Sequence, residues 1–231
     1  MDYLINEKQI YYLVNKKIMA EAKRGILGGV SGKVGPVVGV QWRNRFFWRS
    51  KAERSNKSAT EKQLLQQAKM TLVSGFLAKG RSFINKYTPK TMGKKSMING
   101  TEQQSSHLLK HGVGIEDTQS YLLLNLVTMS VGVLPVAHIS EINILNDRQI
   151  EFKWEDNSFN GITLDTDLLC VVLFHSEMDE LHICENIGQR VDKVGRASIP
   201  DNWTTDNLHL WTMWKNADET LNSTSLYHEV G

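Results

Sequence analysis

Cys170, His175, His182 and Cys184 are the residues whose types could hold a metal, since thiolate and imidazole are the usual zinc ligands. Their spacing fits a β-hairpin better. A turn at Ser176–Asp179 places Phe174 opposite Glu180 and, counting back, Cys170 opposite Cys184. The expectation is two small apolar thiols side by side and no metal, with disulfide formation left open. The Gly-rich stretch Gly25–Gly39, GILGGVSGKVGPVVG, invites phosphate binding. It lacks the required spacing: Leu27 stands where the first glycine belongs, and Val34 follows Gly32-Lys33 in place of Ser or Thr. Glycines for tight turns and close backbone approach are the expectation instead. No nucleophile elbow Gly-x-Ser-x-Gly and no His-Glu-x-x-His occurs. Asp156, Asp165, Asp167, Asp179 and Glu180 fall at or near predicted turns, where solvated charge is the default, and Asp165 with Asp167 lacks the further ligands of a calcium loop. The chain is therefore expected to be no enzyme, with no catalytic residue, no metal and no cofactor.

A different constellation invites binding. Between Trp42 and Arg54, the cations Arg43, Arg45, Arg49, Lys51 and Arg54 interleave with Phe46, Phe47 and Trp48. Basic residues beside aromatics suit single-stranded nucleic acid. They equally suit a hairpin that buries one aromatic face. Val37–Ser50 reads as that hairpin, turning at Arg43-Asn44. The register then pairs Trp42 with Arg45, Val40 with Phe47, Val38 with Arg49 and Gly39 with Trp48, whose ring can cover the bare glycine. Val37, Val38, Val40, Trp42, Arg43, Arg45, Phe46, Phe47, Trp48 and Arg49 are thus the candidate assembly interface.

The elements around this segment fall into three stretches. Residues 1–24 form a polar lead-in with a helical spacing at Ile10, Val14 and Ile18, and with Met1 and Met19 both candidate starts. Residues 25–119 form a basic hairpin plus helical region. Thr60 and Gln63 make a capping box. Leu65, Ala68, Leu72 and Phe76 then lie on one stripe, widened by Leu64, Val73 and Leu77, with Gly80 as the stop. A connector follows, with a short helix at Gln104–His111. Residues 120–231 read as β throughout. The expected strands are Leu122–Met129, Ile139–Ile144, Gln149–Trp154, Leu168–Phe174, Glu180–Glu185, Gly195–Ile199, Leu208–Lys215 and Thr224–Glu229. Their spacing predicts an acidic immunoglobulin- or fibronectin-III-like β-sandwich with Trp154 in its core. The whole is mainly β, α+β overall.

The composition is that of a globular chain: 231 residues, 41% hydrophobic and 23% charged. The net charge of +2 conceals an asymmetry. Residues 1–100 carry 20 Lys and Arg against 5 Asp and Glu, a formal +15, and residues 101–231 carry 7 against 20, a formal −13. Such a split is a statement about partners. Apolar runs such as Tyr121–Val127 and Leu168–Phe174 are too short to span a bilayer, so no membrane partner is expected. The start shows no secretory pattern, which makes cytoplasmic residence the default, an extracellular filament requiring a non-standard exit. Without such a signal the Asn-x-Ser/Thr sites at Asn56, Asn99, Asn202 and Asn222 carry no weight.

The Gly25–Gly39 stretch, followed by Trp42 and Arg49-Ser50, resembles the opening signature of a family of unknown function common in Bacteroidota. Gln66–Leu77 (QQAKMTLVSGFL), Ser130–Pro135 (SVGVLP), Trp154–Ser158 (WEDNS) and Ser223–Tyr227 (STSLY) resemble its later segments, from about Met19 to the C-terminus. The resemblance implies a fold and no known catalysis. Together with the charge split it leads to one expectation: a structural subunit that self-assembles head to tail through its N-terminal region. Its partner is then itself. The alternative is a nucleic-acid-binding module using the basic half.

Overall fold

The structure, a computed structural model, describes residues 21–22, 29–42, 45–53, 58–93, 96–116, 119–159 and 161–229. The helical spacing at Ile10, Val14 and Ile18, both candidate starts and the Arg43-Asn44 loop lie outside them. The chain divides into two compact units, Met1–Ser58 and Ala59–Gly231. It is mainly β, built from several small antiparallel sheets. Among the described residues no helix is long and apolar enough to cross a membrane.

The first unit holds β1 (Glu21–Ala22), β2 (Val30–Val34), β3 (Val37–Trp42) and β4 (Arg45–Ser50), an antiparallel sheet in that order.

The second unit opens with α1 (Glu61–Lys79), started by the expected capping box: Gln63 N donates to Thr60 Oγ1, and Thr60 N to Gln63 Oε1. Gly80 ends α1, and the chain re-enters a helix at once as α2 (Arg81–Lys86). A small hairpin, β5 (Thr91–Met92) with β6 (Met97–Ile98), leads to α3 (Gly100–His111), which has a second capping box from Asn99 and Glu102. Another hairpin, β7 (Val113–Glu116) with β8 (Gln119–Leu122), follows. The remaining strands are β9 (Ile139–Leu145), β10 (Gln149–Trp154), β11 (Leu168–His175), β12 (Glu180–Cys184), β13 (Val194–Ser198), β14 (Leu208–Lys215) and β15 (Leu226–Glu229). They form two antiparallel sheets, ordered β13-β10-β9 and β12-β11-β14-β15.

Two buried clusters explain this layout. One gathers Ile150, Phe152, Trp154 and Ala197 from the three-stranded sheet with Leu169, Val171, Leu173, Leu210 and Trp214 from the four-stranded sheet. The other gathers Cys170, Val172, Phe174, Trp211 and Met213 with Val73, Phe76, Leu77, Ile84 and Leu108 of the helices. Alternate residues of β11 and β14 thus serve opposite faces, and both faces are covered. That is why LLCVVLFH is a nearly unbroken apolar run and why LHLWTMWK places large apolar residues on both faces. The helices therefore share a core with the four-stranded sheet.

Two expected features take another form. The thiols are not opposite each other: Val171 pairs with Cys184, and His175 with Glu180. A slip of one residue moves a side chain to the other face of a sheet. Cys170 accordingly packs toward the helices, while Cys184 borders the inter-sheet core. Burial pushes the Cys170 thiol up to about 11. The strand expected over Leu122–Met129 is β8 followed by a 3-10 turn at Leu124–Leu126. The backbone beyond it bonds outside any ladder: Val127 O accepts from Trp211 Nε1 at 2.9 Å, and Met129 N donates to Ser225 Oγ at 2.8 Å.

Edge strand β15 carries a pH dependence. Burial lowers the pKa of His209 and of His228, with Glu229 opposing it at His209. His228 Nε2 lies 2.9 Å from Thr212 Oγ1, and His209 Nδ1 lies 2.8 Å from Tyr227 OH. An unfolded histidine titrates near about 6.5. The unfolded chain then binds more protons than the folded one below that pH, so stability falls as pH drops through the window beneath it. The protection factors of the amides in Leu226–Glu229, taken against the intrinsic rate at each pH, are expected to fall between about pH 7 and 5, and His228→Gln should flatten the response. Glu219, which Lys215 and Lys86 hold down to about 2, titrates below that window.

Candidate assembly surface

β3 and β4 pair at all six positions: Val37–Ser50, Val38–Arg49, Gly39–Trp48, Val40–Phe47, Gln41–Phe46 and Trp42–Arg45. Every pair expected between these strands is present. Because side chains alternate, this register sorts the segment into two faces of unlike chemistry. One face carries Val37, Gly39, Gln41, Phe46, Trp48 and Ser50 and has no charged residue. The other carries Val38, Val40, Trp42, Arg45, Phe47 and Arg49, and Lys33 of β2 joins it opposite Val38. These residues bring three cations to that second face.

Glycines make the sheet sterically feasible. Gly35 takes φ 56° at the first central position of the turn between β2 and β3, as primed hairpin turns require. Gly39 lies directly beneath the Val30 carbonyl oxygen, where a Cβ would collide with it. The glycine-rich sequence thus serves close backbone approach.

The sheet buries almost nothing. Among residues 29–42 and 45–53, Gly39 alone is buried. Val37, Val38 and Val40 are half-buried. Trp42, Phe46, Phe47 and Trp48 are 53%, 47%, 46% and 56% exposed, and Arg45 and Arg49 are exposed beside them. Arg43 lies outside the described residues. Strand β4 also forms an edge of its sheet. Exposed aromatic edge strands are templates for pairing with another chain.

Two further features escaped the sequence reading. One corrects an expectation: Asp167, read as a solvated turn charge, is buried in the second unit and pairs with Arg190 at 3.1 Å, both side chains 0% exposed. The other is the connection from β10 to β11, where Phe159, Ile162 and Leu164 stand exposed. The sequence expectation for this connection concerned only Asp156 and Asp165, as solvated turn charges.

No curated protein and no solved structure matches the chain. Residues 29–229 match a described family, a span that begins within the Gly-rich signature and runs to the end of β15. The chain belongs to the family of unknown function DUF6266.

Proposed function

We propose that the protein is a structural subunit that assembles head to tail, into a fibre or another polymer, through its N-terminal sheet. The observation that carries this reading is the exposure of that sheet's aromatic and cationic residues, Trp42, Arg45, Phe46, Phe47, Trp48 and Arg49. A small sheet needs a packed face to be stable, and these two faces offer aromatic rings to solvent. Phe46, Phe47 and Trp48 each keep about half their surface exposed, so covering them contributes on the order of 1 kcal/mol per ring. Cations around the rings set orientation and encounter rate. A contact between this surface and a different surface on the next molecule is heterologous and propagates. Seven strands in sheets of three and four, with Trp154 between them, support an immunoglobulin- or fibronectin-III-like sandwich as the body of the subunit.

Sedimentation and electron microscopy of the intact protein test this. Polymers are expected at low salt and are lost as salt rises, since the screening length shrinks from about 10 Å at 0.1 M to about 3 Å at 1 M. Nuclease treatment should change nothing. The second reading, single-stranded nucleic acid binding, draws support from Trp42 and Phe47 sharing one face with Lys33, Arg45 and Arg49. A protein that stays monomeric at high concentration and low salt, yet binds single strands with a steep salt slope, supports that reading instead.

A further inference from the structure

The loop joining β10 to β11 is anchored at its base and apolar at its tip. Thr163 Oγ1 donates to the Asn157 carbonyl at 2.7 Å. Asn157 Nδ2 donates to Val136 O at 2.9 Å, while its Oδ1 accepts from the buried Arg190 guanidinium. Leu164 N donates to Asp167 Oδ2 at 3.0 Å. This fixed base holds Phe159 81% exposed, Ile162 56% and Leu164 53%. Val191, 46% exposed, is brought alongside by its N–H to the Asp165 carbonyl. Large apolar side chains on a pinned loop mark a surface made to be covered.

We propose that this tip is the acceptor for the cationic face of the N-terminal sheet of a second copy of the chain. The inference rests on the head-to-tail reading above and supplies its missing surface. The tip is flanked in sequence by Glu155, Asp156, Asp165 and Asp192, against Lys193 as the one exposed cation of that stretch. The sheet face presents Lys33, Arg45 and Arg49 around Phe47. Apolar centres meet with opposite charges at their rims, the arrangement that specific interfaces use. Two copies joined through the same sheet face would instead oppose Arg45 and Arg49 to their own counterparts, which costs energy. A contact between unlike surfaces avoids that repulsion.

Two full-length variants test it by complementation. Phe159→Asp with Ile162→Ser removes the acceptor and leaves the sheet. Arg45→Glu with Arg49→Glu removes the sheet's charge and leaves the acceptor. All four positions are exposed, and thermal unfolding checks that each variant folds; Phe159→Ser alone is the milder substitute. By analytical ultracentrifugation each variant alone is expected to be monomeric, with self-association weakened at least about tenfold. An equimolar mixture should form a one-to-one complex and nothing longer. If the loop variant polymerises like the wild type, the acceptor is elsewhere and head-to-tail assembly still stands. If the two variants fail to pair while the wild type polymerises, this contact is overturned. If the wild type never associates, both readings fall, and binding of the loop to lipid vesicles by a monomeric protein overturns this one.

Discussion

Asp167→Ala lowers the free energy of unfolding by about 3–5 kcal/mol, because it strands a buried guanidinium. Asp167 Oδ2 accepts from Arg190 Nε at 3.2 Å and from Nη2 at 3.1 Å. Arg190 Nη2 also donates to Pro135 O at 3.1 Å, and its guanidinium lies 4.4 Å over the Trp214 ring. Burial lowers the Arg190 pKa, and the charge of Asp167 opposes that. The pair is not ideal, since Asp167 Oδ1 has no hydrogen-bond partner among the described residues. Replacing both members with apolar residues, Asp167→Leu with Arg190→Met, should therefore cost less than the single change. Urea denaturation followed by far-ultraviolet circular dichroism measures both. A loss below about 1 kcal/mol for Asp167→Ala would mean that the pair behaves as a solvated one.

Trp154→Ala costs about 3–5 kcal/mol through lost burial and the cavity left behind. The indole is 3% exposed and meets Trp214 edge-on, with centroids 5.3 Å apart at 78°. Gly188 and Gly195 form the notch that admits it, since a Cβ at Gly188 would stand 2.8 Å from Trp154 Cη2. Its Nε1–H donates to the Arg190 carbonyl at 2.9 Å. The two sites therefore share a residue, and the double variant Asp167→Ala with Trp154→Ala should fall short of the sum of the single losses. Trp154→Phe, which keeps a ring but no donor, should cost less than alanine by the same denaturation measurement.

What the sequence discloses follows the kind of signal each element carries. The β3–β4 register was legible because pairing Gly39 with Trp48 and Val40 with Phe47 satisfies several local preferences at once. Strands β10 and β14 were legible to the residue, and α1 to its caps, since alternation, apolar runs and capping boxes are local. Longer-range facts left weaker traces. The Cys170–Cys184 pairing hinged on counting one residue across a turn in which Asp179 takes φ 53°. The stripe on α1 gave no hint that Leu64 and Leu65 stay exposed while Val73, Phe76 and Leu77 find the four-stranded sheet. Nor could spacing show that Arg190 reaches Asp167 across 23 residues of chain. The apolar tip at Phe159 was hidden by its setting among Asp, Asn, Ser and Gly, which spell loop before they spell surface.

The two-sided burial of β11 and β14 bears on modularity. An ordinary two-sheet domain can be cut out and moved as a cassette, because its outer faces are already polar. This one has an apolar outer face on its larger sheet, made of Cys170, Val172, Phe174, Trp211 and Met213, and Val73, Phe76, Leu77, Ile84 and Leu108 of the helices supply the cover. A chain begun at Tyr121 would lay that face bare, so the helices are the lid of the domain rather than its linker. Any natural recombination or engineered fusion that keeps the fold must break the chain before Ala59, not between helix and strand.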